Sequence, residues 1–514
     1  MTPRRLKLRT FAACLAAWLL AAPAMAASWM LAESEHFTLY SSAQESVTRD
    51  YLKQLEAFRW LALKVLGAEG KNLRAQGRAE IQLMEGPRAL RDLRTDLTAN
   101  TAGVYYLCAE GTLMYATQAS TLGPDGWDTS QSILQHEYAH HLMYQYATMA
   151  YPVWYVEGFA EYMATAAYED GAISLGGQNQ DWLPTLATPP WMPFEDVLRW
   201  NRGVSKQPTH FESARLYAQS WLLAHYMLSD SQRTQALTGY FARAGSGEDS
   251  VDAFESATGI KTADLLRKID SYRRSLPMVK IRSSEIPVPT IRLSRLSDEA
   301  ANLALDSGLL RTCPKPPVGQ EILARLRAQA RSTAQAASPP LTLVLARAEL
   351  MFGDPVAAVQ LLEPMVSAQD GPFEAHYLMG RALTRQSEKL SGDERQAALE
   401  RARTHLIKAY RLKKDEAPTL YFLALALGAK GVDQNMLNAA RAARLLAPSV
   451  PEYALLEARV DLEVGDREQA IRALVPLATN AHSPEQAARA RQAIEAIRAG
   501  KGADEVMTTI NPKP

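Results

Sequence analysis

Between His36 and Thr117 four short runs, HFTLYS, AEIQLME, GVYYLCAE and GTLMYAT, place apolar side chains in the pattern of β-strands. Between the first two, TRDYLKQLEAFRWLALKVLG spaces its apolar residues as a helix does. Strand and helix signals stay mixed from Ser28 to about Arg274, whereas after about Ser297 the chain reads as helix almost throughout. At the border, Ser275 to Leu296, SLPMVKIRSSEIPVPTIRLSRL, prolines and β-branched residues replace helical periodicity, so this stretch reads as a linker. An α+β domain followed by an all-α region is therefore expected. A chain of 514 residues suits two or three such cores.

The helical region carries an internal period. Ala409 recurs as Ala443, Leu412 as Leu446, Ala424 as Ala458 and Gly431 as Gly465, each 34 residues apart. FGDPVAAVQLLEPM also aligns with VGDREQAIRALVPL, matching Gly353 to Gly465, Asp354 to Asp466, Ala358 to Ala470 and Pro364 to Pro476. The offset of 112 residues is three periods plus ten, and the charged stretch SEKLSGDERQ is an insertion of that size. About four helix-turn-helix units result, from roughly Pro339 to His482, resembling a tetratricopeptide solenoid. Residues 275–338 are then a linker and helical connector, and 483–514 a C-terminal helix and tail. Such arrays often offer a groove for a peptide or protein partner.

The N-terminus reads as an export signal: MTPRRLKLRT is basic, FAACLAAWLLAA is a short apolar core, and Ala24-Met25-Ala26 ends it with small residues, placing cleavage after Ala26. The apolar run is well short of the roughly 20 residues that a spanning helix needs. Cys14 precedes most of the core, the wrong place for lipid attachment, and the residues around Arg4-Arg5 fit twin-arginine export poorly. A periplasmic or secreted protein without a membrane span is expected. Lys plus Arg and Asp plus Glu both number 56, with no long run of one sign, which leaves no footprint for nucleic acid. Outside the signal only Cys108 and Cys313 remain, no disulfide framework. They admit either one bridge in an oxidising compartment or two free thiols.

Candidate chemistry sits in Gln135 to His141, QHEYAHH, which gathers three of the chain's nine histidines. Gly123-Pro124-Asp125-Gly126 marks a turn, Asp128, Thr129 and Ser130 supply candidate N-caps, and a helix from near Gln131 to about Met149 follows, stopped by Ala150-Tyr151-Pro152. His136 and His140 then lie one turn apart on one face, where two imidazole nitrogens can converge on an ion. Glu137 is placed to reach a water on that ion as a general base without being a ligand. His141 is rotated about 100° from His140 and reads as a surface or second-layer residue, pairing with Glu137. An amphipathic helix that merely presents histidines is the plain alternative, yet chance gives His-Glu-x-x-His in only about one such chain in a hundred.

A second stretch, Trp154 to Tyr162, WYVEGFAEY, begins a helix just past Pro152. A hairpin of that length can bring Glu157 back beside His136 and His140, giving two nitrogens and one oxygen and an open fourth position. Glu161, one turn on, can hydrogen-bond a ligand histidine and fix its tautomer. The two motifs together resemble the gluzincin zinc metallopeptidases, particularly their peptidase-MA-like domains, over roughly Ser28 to Arg274. The resemblance implies a thermolysin-like fold, with His136, His140 and Glu157 as Zn²⁺ ligands, Glu137 as catalytic base and Glu161 behind the ligands. It also implies an edge strand ahead of the motif helix, for which Gly111 to Thr117 is the candidate, and an oxyanion donor. Of Tyr217, His210 and His225, Tyr217 is preferred because it begins a helix expected beside the site, and His225 reads as a core residue. No Gly-x-Met-Glu-Asn exopeptidase segment precedes the motif, which leaves endopeptidase, aminopeptidase and inactive relative all open.

Two functions from different classes follow. One is a zinc-dependent peptidase acting on exported or envelope polypeptides, with helical repeats that dock a partner or substrate. The other is a noncatalytic periplasmic adaptor whose repeats bind a protein and whose peptidase domain is vestigial. Intact Glu137 weighs against the adaptor, because a zinc kept only for structure has no need of a general base.

Overall fold

Side chains that alternate between two faces pack a sheet on one side. In the computed structural model, which describes residues 29–510 apart from 69–76, 95–96, 98–102, 119–128, 147–150, 170–171, 201–208, 333–337, 369, 430 and 479–482, they do so in two sheets. The strands are β1 (Met30–Glu33), β2 (Phe37–Ser41), β3 (Ala79–Met84), β4 (Gly103–Cys108), β5 (Gly111–Thr117), β6 (Ala167–Glu169), β7 (Ala172–Leu175), β8 (Val279–Arg282) and β9 (Arg292–Arg295). The larger sheet has the order β4-β5-β3-β2-β1-β9, and the smaller one β6-β7-β8. Parallel pairing of β2 with β3 requires a crossover, which the helix Glu45–Val65 provides. Phe37, Leu39, Ile81 and Leu83 from the sheet meet Leu52, Phe58 and Leu61 of that helix in the largest core, at about 1.5–3 kcal/mol for each large apolar side chain buried. The export signal expected in residues 1–26 lies outside the described residues.

The larger sheet ends in β4 on one side and β9 on the other, so Gly111–Thr117, expected at the edge, lies one strand inside it. A two-residue turn at Ala109 and Glu110, with Gly111 at φ +108°, folds β4 back antiparallel on β5. Because β5 also pairs in parallel with β3, its second edge is taken and β4 is left outside. The segment read as a linker contributes β8, paired antiparallel with β7, and β9, paired antiparallel with β1. The segment thus completes both sheets, with the β-branched Val279 and Ile281 in β8 only.

From Asp298 onward helices follow one another to Ile510; Asp298–Arg311 packs on Pro339–Phe352, and from Pro316–Ser332 on each helix packs against its neighbours in sequence. Residues 483–510 hold two helices, Pro484–Arg498 and Ala503–Ile510, where one helix and a tail are expected. Three of the four pairs 34 residues apart share an environment: Ala409, Ala443, Ala424 and Ala458 are all fully buried, and Gly431 and Gly465 both take positive φ, at +100° and +86°, whereas Leu412 is exposed and Leu446 half-buried. Asp354 and Asp466 each accept a hydrogen bond from a backbone N–H at the start of a helix, and Pro364 and Pro476 lie inside those helices. The charged stretch from Ser387 to Gln396 forms the turn after the helix Phe373–Ser387 and the start of the helix Gly392–Leu412.

Array and larger sheet meet at the tip of the β4–β5 hairpin. Cys108 and Cys313 form a disulfide, which decides between the alternatives that composition leaves open. Glu110, 2 % exposed, pairs with Arg347 at 2.6 Å and with Arg381, and accepts a hydrogen bond from Tyr377 at 3.2 Å. The Tyr453 hydroxyl donates to the Ala109 carbonyl at 3.0 Å. Burial would push the Glu110 carboxyl up, but the Arg381 and Arg347 charges outweigh it and hold it below the usual carboxylate range.

Candidate metal centre

The motif helix spans Thr129–Tyr146 and packs against the returning helix Val153–Met163, which starts directly after Pro152. One helical turn separates His136 and His140, and their rings stand nearly perpendicular, at 85° with centroids 4.6 Å apart. Their Nε2 atoms approach to 3.0 Å. From Glu157 on the returning helix, Oε2 lies 3.7 Å from His136 Nε2 and 3.5 Å from His140 Nε2. Tetrahedral zinc with bonds of about 2.0–2.1 Å sets neighbouring donor atoms roughly 3.3 Å apart, so this triangle has the right size for one ion. Two imidazoles and a carboxylate are also a donor set that zinc favours.

Glu157 is completely buried, a setting in which a carboxylate needs a positive partner. Burial would depress His140, but the hydrogen bond and charge of Glu157, with Glu137 and Glu161 adding to them, hold it raised instead. The triad therefore attracts positive charge.

Gly158 explains why a glycine follows the carboxylate. A Cβ there would lie 2.2 Å from the Ser220 carbonyl oxygen, so the returning helix touches the helix His210–Leu228 backbone to backbone. That close approach sets the helix that carries Glu157 and Glu161 directly beside the helix that carries Tyr217, and Glu161 and Tyr217 line one cavity. Tyr217 is the eighth residue of a helix begun at His210 and held by a Thr209–Glu212 capping box, not its first residue. Its ring stacks on Trp182, with centroids 5.8 Å apart and planes 17° from parallel. A cavity of about 470 Å³ is lined by His136, Glu137, Glu161, Asn179, Trp182 and Tyr217 among others.

Glu161 sits behind the triad, with Oε1 3.4 Å from His136 Nδ1. Its other oxygen accepts a hydrogen bond from Asn179 Nδ2 at 3.0 Å. Burial pushes Glu161 up to about 7, with the nearby Trp182 indole and the Asn179 hydrogen bond opposing and the Glu157 charge assisting. Neither Asn179 nor Trp182 stands out in the sequence, since both follow β7 in a loop without a motif; the only local sign is the Gly176-Gly177 turn before them.

The remaining candidates lie elsewhere. His225 is buried in the core, with Nδ1 2.7 Å from the Tyr272 hydroxyl and Nε2 2.8 Å from the Gly176 carbonyl. His210 opens its helix, and its side chain lies outside the described residues. His141 is not a surface partner of Glu137: its Nδ1 lies 2.7 Å from the Tyr105 hydroxyl of β4, and its ring stacks on Tyr138. The rotation that takes it off the ligand face points it at the sheet, and burial pushes it down to about 4. No family model, curated protein or solved structure matches the chain.

Proposed function

We propose that this protein is a zinc-dependent peptidase of gluzincin type, with a thermolysin-like catalytic domain and a tetratricopeptide-like array. The observation that carries the reading is the convergence of His136, His140 and Glu157 at ligand distances from one another, beside a cavity that Glu137 also lines. These three side chains would hold the ion. When bound, zinc supplies Lewis-acid polarisation of a carbonyl and lowers the pKa of water.

The protein's own groups do the rest. Glu137 takes a proton at its carboxylate from the attacking water and returns it to the leaving amine. Tyr217, on the cavity wall, donates its hydroxyl proton in a hydrogen bond to the carbonyl oxygen as negative charge grows there. Trp182 fixes the ring of Tyr217 by stacking. Glu161, held by Asn179, orients the His136 imidazole through Nδ1. Substrates would be exported or envelope polypeptides, a periplasmic or secreted setting with which the Cys108–Cys313 disulfide agrees.

Metal content and hydrolysis of a peptide library test the reading. Wild type should carry one zinc and cleave; Glu157→Ala should lose zinc, and Glu137→Gln should keep zinc and lose hydrolysis. Absence of zinc from the folded, zinc-supplied wild type, or cleavage undiminished in Glu137→Gln, would overturn it.

A further inference from the structure

The first helix of four successive hairpins in the array turns side chains toward one short piece of the same chain. Pro339–Phe352 offers Arg347, Phe373–Ser387 offers Tyr377 and Arg381, Ala417–Gly428 offers Leu420, and Pro451–Glu463 offers Tyr453. Leu107 packs against the apolar cluster that holds Leu420 and Tyr453, the Ala109 carbonyl accepts from Tyr453, and Glu110 takes both arginines and Tyr377. A second, covalent tie joins Cys108 to Cys313, just beyond the helix Asp298–Arg311. That helix also holds the sheet through Arg311 Nη1, 2.5 Å from Glu80 of β3.

We infer that the array is an intramolecular clamp whose bound peptide is Leu107–Glu110, and that Glu110 is a positioning residue for the cleft-edge strand β4. The inference rests on the peptidase reading for the purpose of the clamp, since an outer strand packed against the motif helix is where an extended substrate can pair. Strand β4 runs from the tip back to Gly103, whose Cα faces Ile133 of the motif helix, and Ile133 lines the metal cavity. Midway, Tyr105 bonds His141 on that same helix. A fixed tip therefore fixes the strand's height over the motif helix. An unpaired β4 end would be free to fray, as an outer strand with neighbours on one side does.

Charge explains the tightness of the clamp. Arg347 is 4 % exposed and Arg381 10 % exposed; without the Glu110 charge Arg381 loses its buried carboxylate, and Arg347 is left with Glu374, at 3.1 Å. Glu110→Gln keeps the shape and removes the charge. A Cys108→Ser/Cys313→Ser double variant cuts the second tie without touching the first.

The test is hydrogen exchange of the zinc-loaded full chain, read at β4 against the interior strand β3, together with kcat and KM on a cleaved library peptide. Combining Glu110→Gln with the two serines should speed exchange in β4 about tenfold or more while β3 holds, because local opening is measured separately from global unfolding. Zinc content should stay at one, KM should rise and kcat should be retained. Unchanged β4 exchange, equal acceleration in β3, or faster β4 exchange without a change in KM would each overturn the inference. If wild type binds zinc and cleaves nothing, the peptidase reading fails by itself, and β4 exchange alone then decides whether the clamp exists. Should the triple variant fail to fold, Glu110→Gln and the double serine variant are read singly by the same measurements.

Discussion

Gly158 gives the strictest numerical check on how the metal centre is assembled. Replacing it with alanine adds a Cβ 2.2 Å from the Ser220 carbonyl oxygen, 2.7 Å from its carbon and 3.0 Å from Ala224 Cβ. Carbon and oxygen in comfortable contact are about 3.3–3.6 Å apart, so the two helices must separate by roughly 1 Å. The obstacle is helix backbone, which cannot rotate away as a side-chain end could. Alanine gains about 1 kcal/mol of helix propensity over glycine, whereas overpacking a tight core costs about 1–3 kcal/mol and sometimes more. A backbone clash belongs at the upper end of that range, leaving a net loss of about 2 kcal/mol. For a domain of this size that corresponds to a fall in Tm of about 4–8 °C. Gly239 supplies the counter-experiment: it is an exposed position inside a helix, and its added Cβ would meet Ala257 Cβ at an ordinary 3.7 Å. Gly239→Ala should therefore stabilise by up to about 1 kcal/mol. Calorimetry of both variants with and without zinc, plus a zinc titration, makes the comparison. Because Glu157 is the neighbouring residue, Gly158→Ala should also weaken zinc binding at least about tenfold, in line with losses seen when the support of a ligand is disturbed. If Gly158→Ala melts at or above wild type and binds zinc as tightly, the close-contact argument is wrong.

Three further outcomes are expected. Tyr217→Phe should lower kcat by about 10²–10³ with zinc content unchanged, as loss of one oxyanion donor does; steady-state kinetics on a cleaved peptide measures it. Asn179→Ala should release Glu161 from its hydrogen bond and lower zinc affinity by about 10–100-fold, read by competition with a chelator. In the array, burial, with the charges of Lys408 and His405, pushes His376 down to about 4 from 6.5. As pH falls from 6.5 the unfolded chain takes up a proton that the folded chain refuses, so stability is lost toward pH 4. His376→Asn should flatten that part of the pH profile in denaturant unfolding.

Local periodicity carried the sequence reading a long way. Strands β2 to β5, the crossover helix and the motif helix follow from side-chain alternation and helical spacing, which need no knowledge of partners. The spacing of His136, His140, Glu157 and Glu161 is legible for the same reason: a turn of helix and a short hairpin fix where they meet. What escaped was set by pairing at a distance. The identity of the outer strand depends on β5 choosing both β3 and β4, and the role of the segment after Ser275 depends on β1 and β7 having free edges. Cys108 and Cys313 lie 205 residues apart, so only the folded array brings them together. The rotation that takes His141 off the ligand face is legible in the helix period, but its partner is not, because Tyr105 lies on a strand whose position depends on distant pairing. Asn179 and Trp182 were invisible because a loop has no period.

The tip of the β4–β5 hairpin also has a bearing on the order in which the protein matures. Glu110 meets Arg347 and Tyr377 across 237 and 267 residues, and Ala109 meets Tyr453 across 344. Contacts of such separation form late, because the closure of a long loop precedes any gain from them. A chain that emerges from its N-terminus has made the whole metal motif well before Tyr453 exists. The tip of the hairpin is then secured only after Tyr453 has been made, so a nascent chain, or one cut short before it, would hold His136, His140 and Glu157 while the end of β4 remains unset.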